Sequence, residues 1–119
     1  YTMNRVANEL VLAATMGLSQ NSVGQVRMSP RKGLVGLVAQ ELQPVFVEDA
    51  PGHRRFLYFP EAGEDPYVSF FGVPILLAGT LNGVLVVQTA EPRDLTVDWA
   101  AIALAAQRIA PFVGCDSGV

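Results

Sequence analysis

The sequence predicts an α+β domain in which a central antiparallel β-sheet is flanked by helices. The strongest indication is the segment 69–89, where two apolar runs, 70–77 and 81–89, are separated by the short turn 78–80 and form a β-hairpin. A second indication is the helical apolar pattern over residues 97–113. The third is the order of elements, because sequential hairpins combined with helices are typical of this class.

The elements ahead of this hairpin are assigned from periodicity and turn residues. Alternating or continuous apolar runs predict strands, and apolar residues at helical spacing predict a helix. In chain order we predict a strand ending at 1–3, a turn at 4–8, strands at 9–15 and 23–28, a short helix at 34–41 and a short strand at 45–47.

Residues 49–66 form a long irregular connection that is unusually aromatic, containing Phe56, Tyr58 and Phe59. A connection of this length in a small domain is usually functional or mobile. The hairpin that follows is apolar on nearly every residue, so both of its faces are expected to be covered. Pro74 cannot donate to a ladder, which predicts an edge, a bulge or a ligand-facing gap beside the first strand.

The last element is predicted as one helix over 97–113, with Thr96 as N-cap, Asp98 in the first turn and Gly114 ending it. One stripe of this helix is apolar and fits a sheet. The opposite side is small and apolar too, which indicates a helix covered on two sides. We therefore expect a partner helix from a second subunit, with an interface at Ala101, Leu104 and Ala105.

Composition limits the classes of function. The chain has 119 residues, enough for one domain, and a net charge of -3, with Arg31-Lys32 and Arg54-Arg55 as the only close basic pairs. Such scattered cations predict no nucleic-acid partner. No apolar run reaches the roughly 20 residues that a membrane span requires. The single cysteine, Cys115, excludes an internal disulfide and favours a cytoplasmic location.

The ends of the chain give an expectation about domain limits. The chain starts in what resembles the last residues of a strand, and its first residue is not Met. We expect one domain over 1–113 that lacks an N-terminal helix, followed by a tail at 114–119.

Several motifs together resemble a GAF domain. They are G-L-V-G-L-V-A at 33–39, D-A at 49–50, H-x-R-F-x-Y-x-P-E at 53–61, S-F-F-G-V-P-I at 69–75 and G-V-L-V-V-Q at 83–88. Their combination is similar to the N-terminal GAF domains of phosphoenolpyruvate-protein phosphotransferases of the nitrogen-related phosphotransferase system. Two features depart from that pattern: residues 51–54 rearrange the loop motif, and the hairpin turn at 77–80 is not basic.

The resemblance implies a regulatory module without catalytic activity or cofactor of its own. It implies a sheet with helices on one side and ligand-binding loops on the other, and homodimerisation through helices. The implied partner is a small metabolite, glutamine or 2-oxoglutarate, which controls autophosphorylation in a separate catalytic region.

Candidate ligand-binding residues follow from side-chain chemistry within these motifs. Arg55 suits bidentate pairing with a carboxylate, although a solvated surface charge is the alternative. The acidic side chains of the connection could bind the amine of a ligand or cap turns. Its aromatic side chains could line a pocket or complete the core. His53 could contact a ligand or make a structural hydrogen bond. The full predicted set is Asp49, His53, Arg55, Phe56, Tyr58, Glu61, Ser69 and Phe71.

Other functions remain open at this point. A GAF sensor of a histidine kinase or of a nitrogen-fixation-type transcription activator differs only in its flanking sequence. A ligand-free dimerisation module would have a filled core. A GAF-type free methionine sulfoxide reductase needs cysteines in the body of the domain, where this chain has none, and no cluster has the spacing of metal ligands.

Overall fold

The computed structural model describes residues 1–16, 23–55 and 68–113. Within them, six strands form one antiparallel sheet in the order β3-β2-β1-β6-β5-β4. The strands are β1 (Thr2–Asn4), β2 (Glu9–Val11), β3 (Arg27–Met28), β4 (Val45–Val47), β5 (Ser69–Leu77) and β6 (Thr80–Thr89). Two helices, α1 (Gly33–Glu41) and α2 (Trp99–Ile109), complete the fold. The predicted α+β class with a central antiparallel sheet is confirmed.

The two longest strands, β5 and β6, form the predicted hairpin. Its turn is tighter than expected, because only Ala78 and Gly79 separate the strands. Both have positive φ, 51° and 80°, which is the conformation of a type I′ turn and matches the twist of the flanking strands. A register shift between Ile75 and Leu76 adds a bulge beside the turn.

Pro74 occupies an edge-like position inside β5. It lies opposite Val84, whose own N–H and C=O bond to Tyr1 on the other side of β6. The Pro74 nitrogen therefore faces the β4 side. Pairing with β4 extends only as far as Gly72, opposite Val45. At Pro74 this side of β5 has no pairing with β4. The lack of an N–H donor therefore falls at an edge of the ladder, as predicted.

The two faces of the sheet are covered by different helices. On the first, the α1 face, Phe70 and Val84 pack with residues of β2, β3 and α1. On the second, the α2 face, Phe71, Val73 and Ile75 pack with Ile102, Ala106 and Ala110. The described helices therefore lie on both faces, which corrects the implied arrangement with helices on one side only.

The ladder between β2 and β3 is shorter than the predicted strands 9–15 and 23–28. Beyond Val11 it continues only as separate bonds: Leu12 N–H donates to Val26 at 3.0 Å, and Gly24 N–H donates to Leu12 at 2.7 Å. Residues 23–25 form a turn that prevents regular pairing. Leu12 and Val26 are nevertheless fully buried, so the apolar pattern correctly predicts core positions.

The predicted single helix over 97–113 is wrong in its limits. Leu95–Asp98 and Ala110–Phe112 are short 3₁₀ segments on either side of α2. The side chain that caps the first segment is Asp94, which accepts from Thr96 N–H at 3.0 Å, so Thr96 is not the cap. Hydrogen bonds from Thr96 lower the pKa of Asp94. Pro111 cannot donate a helical bond, which explains the end of α2 before the expected Gly114.

Candidate functional site

The segment Asp49–Arg55 follows β4 and is anchored beside the α1 face. Ala50 is fully buried in the core on that face, and its N–H donates to Val68 at 2.6 Å. His53 N–H then closes a short 3₁₀ turn by donating to Ala50 at 2.9 Å. This segment holds Arg55 next to the start of α1 and to Gln40 on that helix.

Arg55 joins the connection to α1. Its Nη2 donates to Gln40 Oε1 at 2.7 Å and to the Arg31 carbonyl at 2.9 Å. The guanidinium carries five N–H donors in a planar fork, and its bonds to other described residues use Nη2. Arg55 as a whole is partly buried, while both of these bonds are exposed.

The same contact brings the two basic pairs of the sequence together. Arg31-Lys32 lies just before α1, and Arg54-Arg55 lies just after the 3₁₀ turn, so four of the eight Lys and Arg residues share one corner. Ion pairs in the described part of the chain join Glu9 to Arg27 and Arg93 to Asp98. The corner has none of them and suits a carboxylate or phosphate group.

Two other predicted residues lie beside Arg55. His53 is partly buried, and its Nδ1 accepts from Arg55 N–H at 3.0 Å, so the donor available on that ring is Nε2–H. Asp49 is exposed and lies against Gly52, where an added Cβ would stand 2.7 Å from Asp49 Oδ2. These contacts place Asp49, His53 and Arg55 close together on the connection, and we call these three residues the rim.

Two residues of the predicted set, Phe71 and Ser69, lie away from this rim. Phe71 is buried on the α2 face, where its ring packs edge-on against Phe46 at 6.2 Å between centroids. It is separated from Arg55 by the sheet because side chains of consecutive strand residues point to opposite faces. Phe70 is the one on the α1 face. Three further members of the predicted set, Phe56, Tyr58 and Glu61, lie outside the described residues.

Ser69 has a structural position. It is fully buried, its Oγ donates to the Glu48 carbonyl at 2.8 Å, and it accepts from Arg93 N–H at 2.9 Å. These bonds connect the end of β4, the start of β5 and the segment ahead of α2. Because the hydroxyl is already used by two backbone groups, we leave Ser69 out of the site proposed below.

We expect Ser69→Ala to lower the free energy of unfolding by about 1–3 kcal/mol, since it removes both hydrogen bonds of a buried hydroxyl. Urea unfolding of the purified chain measures this. Ser29→Ala is the control, because the Ser29 hydroxyl accepts one exposed bond, from Arg31 N–H at 3.1 Å. Equal losses in the two variants would contradict the connecting role of Ser69.

The sequence analysis did not single out Gln40 or the Arg31 carbonyl as neighbours of Arg55. Gln40 is exposed near the end of α1, beside Glu41, and such a position is usually solvated. Its contact with Arg55 joins residues 15 apart in the chain. No short-range spacing rule connects them, so only the tertiary structure reveals this pair.

The outer side of α2 is apolar and open. The three predicted interface residues, Ala101, Leu104 and Ala105, are all exposed in this chain. Beside them, a groove of about 690 Å³ runs between α2 and β5, with Trp99 and Leu104 on its helical wall and Leu42 and Pro74 on the other side. No charged residue lines it, so it suits an apolar occupant.

Two further properties of the described residues bear on function. Residues 1–16, 23–55 and 68–113 contain no cluster of three or more His, Cys, Asp or Glu side chains that would suit a metal ion. In the same ranges, no helix combines the length and the apolar character that crossing a membrane requires.

Comparison with known proteins gives one matching family model and several similar solved structures. The family model described as GAF domain matches residues 4–111. The GAF domain of a phosphoenolpyruvate-protein phosphotransferase from Coxiella burnetii has 36% identity and a TM-score of 0.85, over 92% of this chain and 66% of that chain. The corresponding Acinetobacter domain has 32% identity and a TM-score of 0.79, over 93% and 65%.

A curated relative gives the same family of enzymes. A protein of Escherichia coli K12 described as "Phosphoenolpyruvate-dependent phosphotransferase system" is 38% identical over 65 residues, which is 55% of this chain and 9% of that protein. The chain thus spans about two thirds of the two solved GAF chains and a small part of this curated relative.

Proposed function

The chain belongs to the GAF domain family, and from this we propose that it is the regulatory domain of a phosphoenolpyruvate-protein phosphotransferase of the nitrogen-related phosphotransferase system. Its similarity to the GAF domains of two such phosphotransferases supports this parent. In this proposal the domain acts in the cytoplasm, catalyses no reaction itself and controls autophosphorylation in another region of the parent.

The proposed mechanism is sensing of a small carboxylate metabolite, glutamine or 2-oxoglutarate, at the rim formed by Asp49, His53 and Arg55. The observation that carries it is the position of Arg55, whose bonds to Gln40 and to the Arg31 carbonyl place it beside the second basic pair, Arg31-Lys32. A ligand carboxylate would pair with the guanidinium. We include Phe56, Tyr58 and Glu61 in the proposed site because they follow Arg55 directly in the sequence.

Ligand binding would act through α1. Arg55 is bonded to Gln40 on that helix, and α1 packs on the central strands through Val38 and Phe70. A metabolite that binds Arg55 more tightly in one arrangement of the connection than in another shifts the population toward that arrangement. The coupling would reach the parent protein through the helices that flank the sheet.

We expect glutamine or 2-oxoglutarate to raise the unfolding temperature of the chain, because a ligand at 100 times its Kd stabilises the native state by about 2.7 kcal/mol. A thermal-shift titration followed by calorimetry measures this. Arg55→Ala is expected to abolish the shift, and Arg55→Lys to weaken it, since lysine keeps the charge but loses the planar fork.

Arg108→Ala is the matched control, because Arg108 is exposed on α2, across the sheet from α1. It should keep the full ligand shift. Absence of a shift with either metabolite would remove the sensing proposal and favour the ligand-free dimerisation module. A shift that survives in Arg55→Ala would place the site elsewhere.

We propose that the open side of α2 forms a homodimer interface. Ala101, Leu104 and Ala105 are exposed there, and Leu104 keeps 47% of its surface accessible next to an uncharged groove. Contiguous apolar surface of this kind on a folded domain marks an interaction site. A two-fold contact would place the same side of α2 against its copy.

We expect Leu104→Glu to convert a dimer into a monomer, because it would bury two carboxylates at the two-fold contact. Light scattering over a concentration series measures the mass. Leu77→Glu is the control, since Leu77 is similarly exposed, at 43%, but lies next to the hairpin turn. An unchanged mass in Leu104→Glu would contradict the interface.

The second candidate parent is a histidine kinase or a nitrogen-fixation-type transcription activator with a GAF sensor. Identity of 32–38% with phosphotransferase proteins favours the first candidate. Phosphotransfer from phosphoenolpyruvate, assayed in the full-length parent with and without the metabolite, distinguishes the two.

A further inference from the structure

A small cavity, here called the aromatic pocket, lies on the α2 face at the first turn of α2. Its volume is about 320 Å³, and it is lined by Pro44, Phe46, Phe71, Thr96 and Trp99. Phe46 lies on β4 and Phe71 on β5, while Thr96 belongs to the 3₁₀ segment ahead of α2 and Trp99 begins that helix. Two strands and a helix start therefore meet around one cavity, and three of its five lining residues are aromatic.

The three rings of the aromatic pocket stand in different planes. The planes of Phe46 and Phe71 are inclined by 80° with centroids 6.2 Å apart, and those of Phe71 and Trp99 by 33° with centroids 6.4 Å apart. Phe71 is only 3% exposed, whereas Trp99 keeps 47% of its surface accessible. The pocket therefore leads from the core on the α2 face to solvent, with aromatic side chains along its depth.

Filling the core does not account for all three rings. Phe71 is buried, but Phe46 is half-buried and Trp99 is exposed, so part of the aromatic surface has no packing partner among the described residues. Small-molecule sites are typically concave and largely apolar, with volumes of about 300–1,000 Å³. The aromatic pocket lies at the lower end of that range and suits a compact ligand group.

Negative charge lies beside the aromatic pocket. Asp94 accepts hydrogen bonds from the Thr96 backbone N–H, at 3.0 Å, and from the Thr96 hydroxyl, so its carboxylate contacts a lining residue directly. These bonds lower the pKa of Asp94, which keeps the carboxylate ionised at neutral pH. The neighbouring cation, Arg93, pairs with Asp98 at 3.2 Å. Among the described residues, no ion pair neutralises Asp94.

Aromatic rings and an ionised carboxylate attract the same kind of ligand. The face of an aromatic ring attracts a cation, tryptophan most strongly, and sets of such rings recognise quaternary ammonium groups. A quaternary ammonium has no N–H to donate, so it requires no hydrogen-bond acceptor inside the pocket. The lining matches this chemistry, because Thr96 supplies its one polar side chain. A carboxylate next to the pocket adds Coulomb attraction for the cation.

We propose that the aromatic pocket binds the quaternary ammonium group of a small metabolite, with Phe46, Phe71 and Trp99 around the cation and Asp94 beside it. The pocket lies across the sheet from the rim, since Phe71 belongs to the core on the α2 face and Ala50 to the core on the α1 face. It also takes a cation, whereas the rim is proposed to take a carboxylate. The inference is therefore independent of the proposed metabolite sensing.

The test compares choline with dimethylbutanol, its neutral analogue in which carbon replaces the nitrogen. Trp99 is the single tryptophan of the chain, so its emission reports binding at this pocket, and sodium chloride keeps the ionic strength equal in all samples. We expect choline to bind with a Kd about tenfold lower than that of dimethylbutanol, because only the charged ligand gains the cation–π attraction.

Two substitutions at Phe46 connect this preference to the pocket. Phe46→Leu keeps an apolar side chain but removes the ring, so most of the preference for choline should be lost. Phe46→Tyr keeps a ring and should retain the preference. Phe112→Leu is the matched control, because Phe112 is an exposed aromatic residue beyond the other end of α2. Urea unfolding of each variant verifies that it is folded.

Three results would overturn the proposal. Equal affinity for choline and dimethylbutanol would show that the pocket selects apolar shape and not charge. Absence of choline binding would remove the site altogether, and both of these results come from the unmodified chain without any substitution. A preference for choline that persists in Phe46→Leu, or that disappears in Phe112→Leu, would show that the aromatic pocket is not where the cation binds.

Discussion

Replacing Gly72 with valine is expected to destroy the packing of α1 on the sheet. An added Cβ at this position would stand 2.7 Å from Val38 Cγ2 and 2.9 Å from Phe70 Cζ, and both of those residues are fully buried. Overpacking a filled core costs about 1–3 kcal/mol for small additions and more for larger ones. Against a typical total stability of about 5–15 kcal/mol, Gly72→Val should leave little folded protein, as urea unfolding or circular dichroism would measure.

The smaller change Gly72→Ala allows the cause to be isolated. Val38→Ala removes the atom that an alanine Cβ at position 72 would meet first, so the double variant should be more stable than the sum of the two single losses predicts. Coupling of about 0.5–3 kcal/mol is typical for residues in contact. Additive losses would show that Val38 does not limit the space at position 72.

The elements that were predicted well are those whose local and tertiary preferences agree. The strands 70–77 and 81–89 and the helix 34–41 differ from β5, β6 and α1 by one residue at one end. Their apolar patterns are dense and their turn residues suit the turn. The strands 9–15 and 23–28 were overestimated because apolar patterning reports burial, and burial at Leu12 and Val26 persists where the ladder has already ended.

The candidate rim was predictable only in part. Asp49, His53 and Arg55 are close in sequence, so their proximity follows from one connection and its 3₁₀ turn. The convergence of Arg55 with Gln40 and the Arg31 carbonyl depends on how α1 sits over the sheet. Four scattered cations therefore become one basic corner through tertiary packing, which a scan for basic runs along the chain does not detect.

The sequence alone does not predict which face of the sheet Phe71 occupies. A period of two requires that Phe70 and Phe71 point to opposite faces, but it leaves open which of them faces the connection. That choice is made by the helices. α1 covers Phe70, whereas α2 follows the sheet and covers Phe71. Alternation along β5 thus predicts that the two rings lie on opposite faces, but not which helix covers each of them.

This assignment predicts different outcomes for Phe70→Ala and Phe71→Ala. Each should cost about 3–5 kcal/mol of stability, as truncation of a buried phenylalanine usually does. Only Phe71 lies near Trp99, with ring centroids 6.4 Å apart, and Trp99 is the single tryptophan of the chain. Phe71→Ala should therefore change the emission of the folded protein, while Phe70→Ala leaves it nearly unchanged.

Fluorescence and urea unfolding measured on the same samples separate the two effects. Equal loss of stability with unequal emission is the expected result, because the two rings belong to cores on opposite faces of one sheet. If Phe70→Ala shifted the emission as much as Phe71→Ala, both rings would have to act on the α2 face. The ligand experiment adds a second readout, since Phe71→Ala should keep the metabolite shift of a rim that lies across the sheet from it.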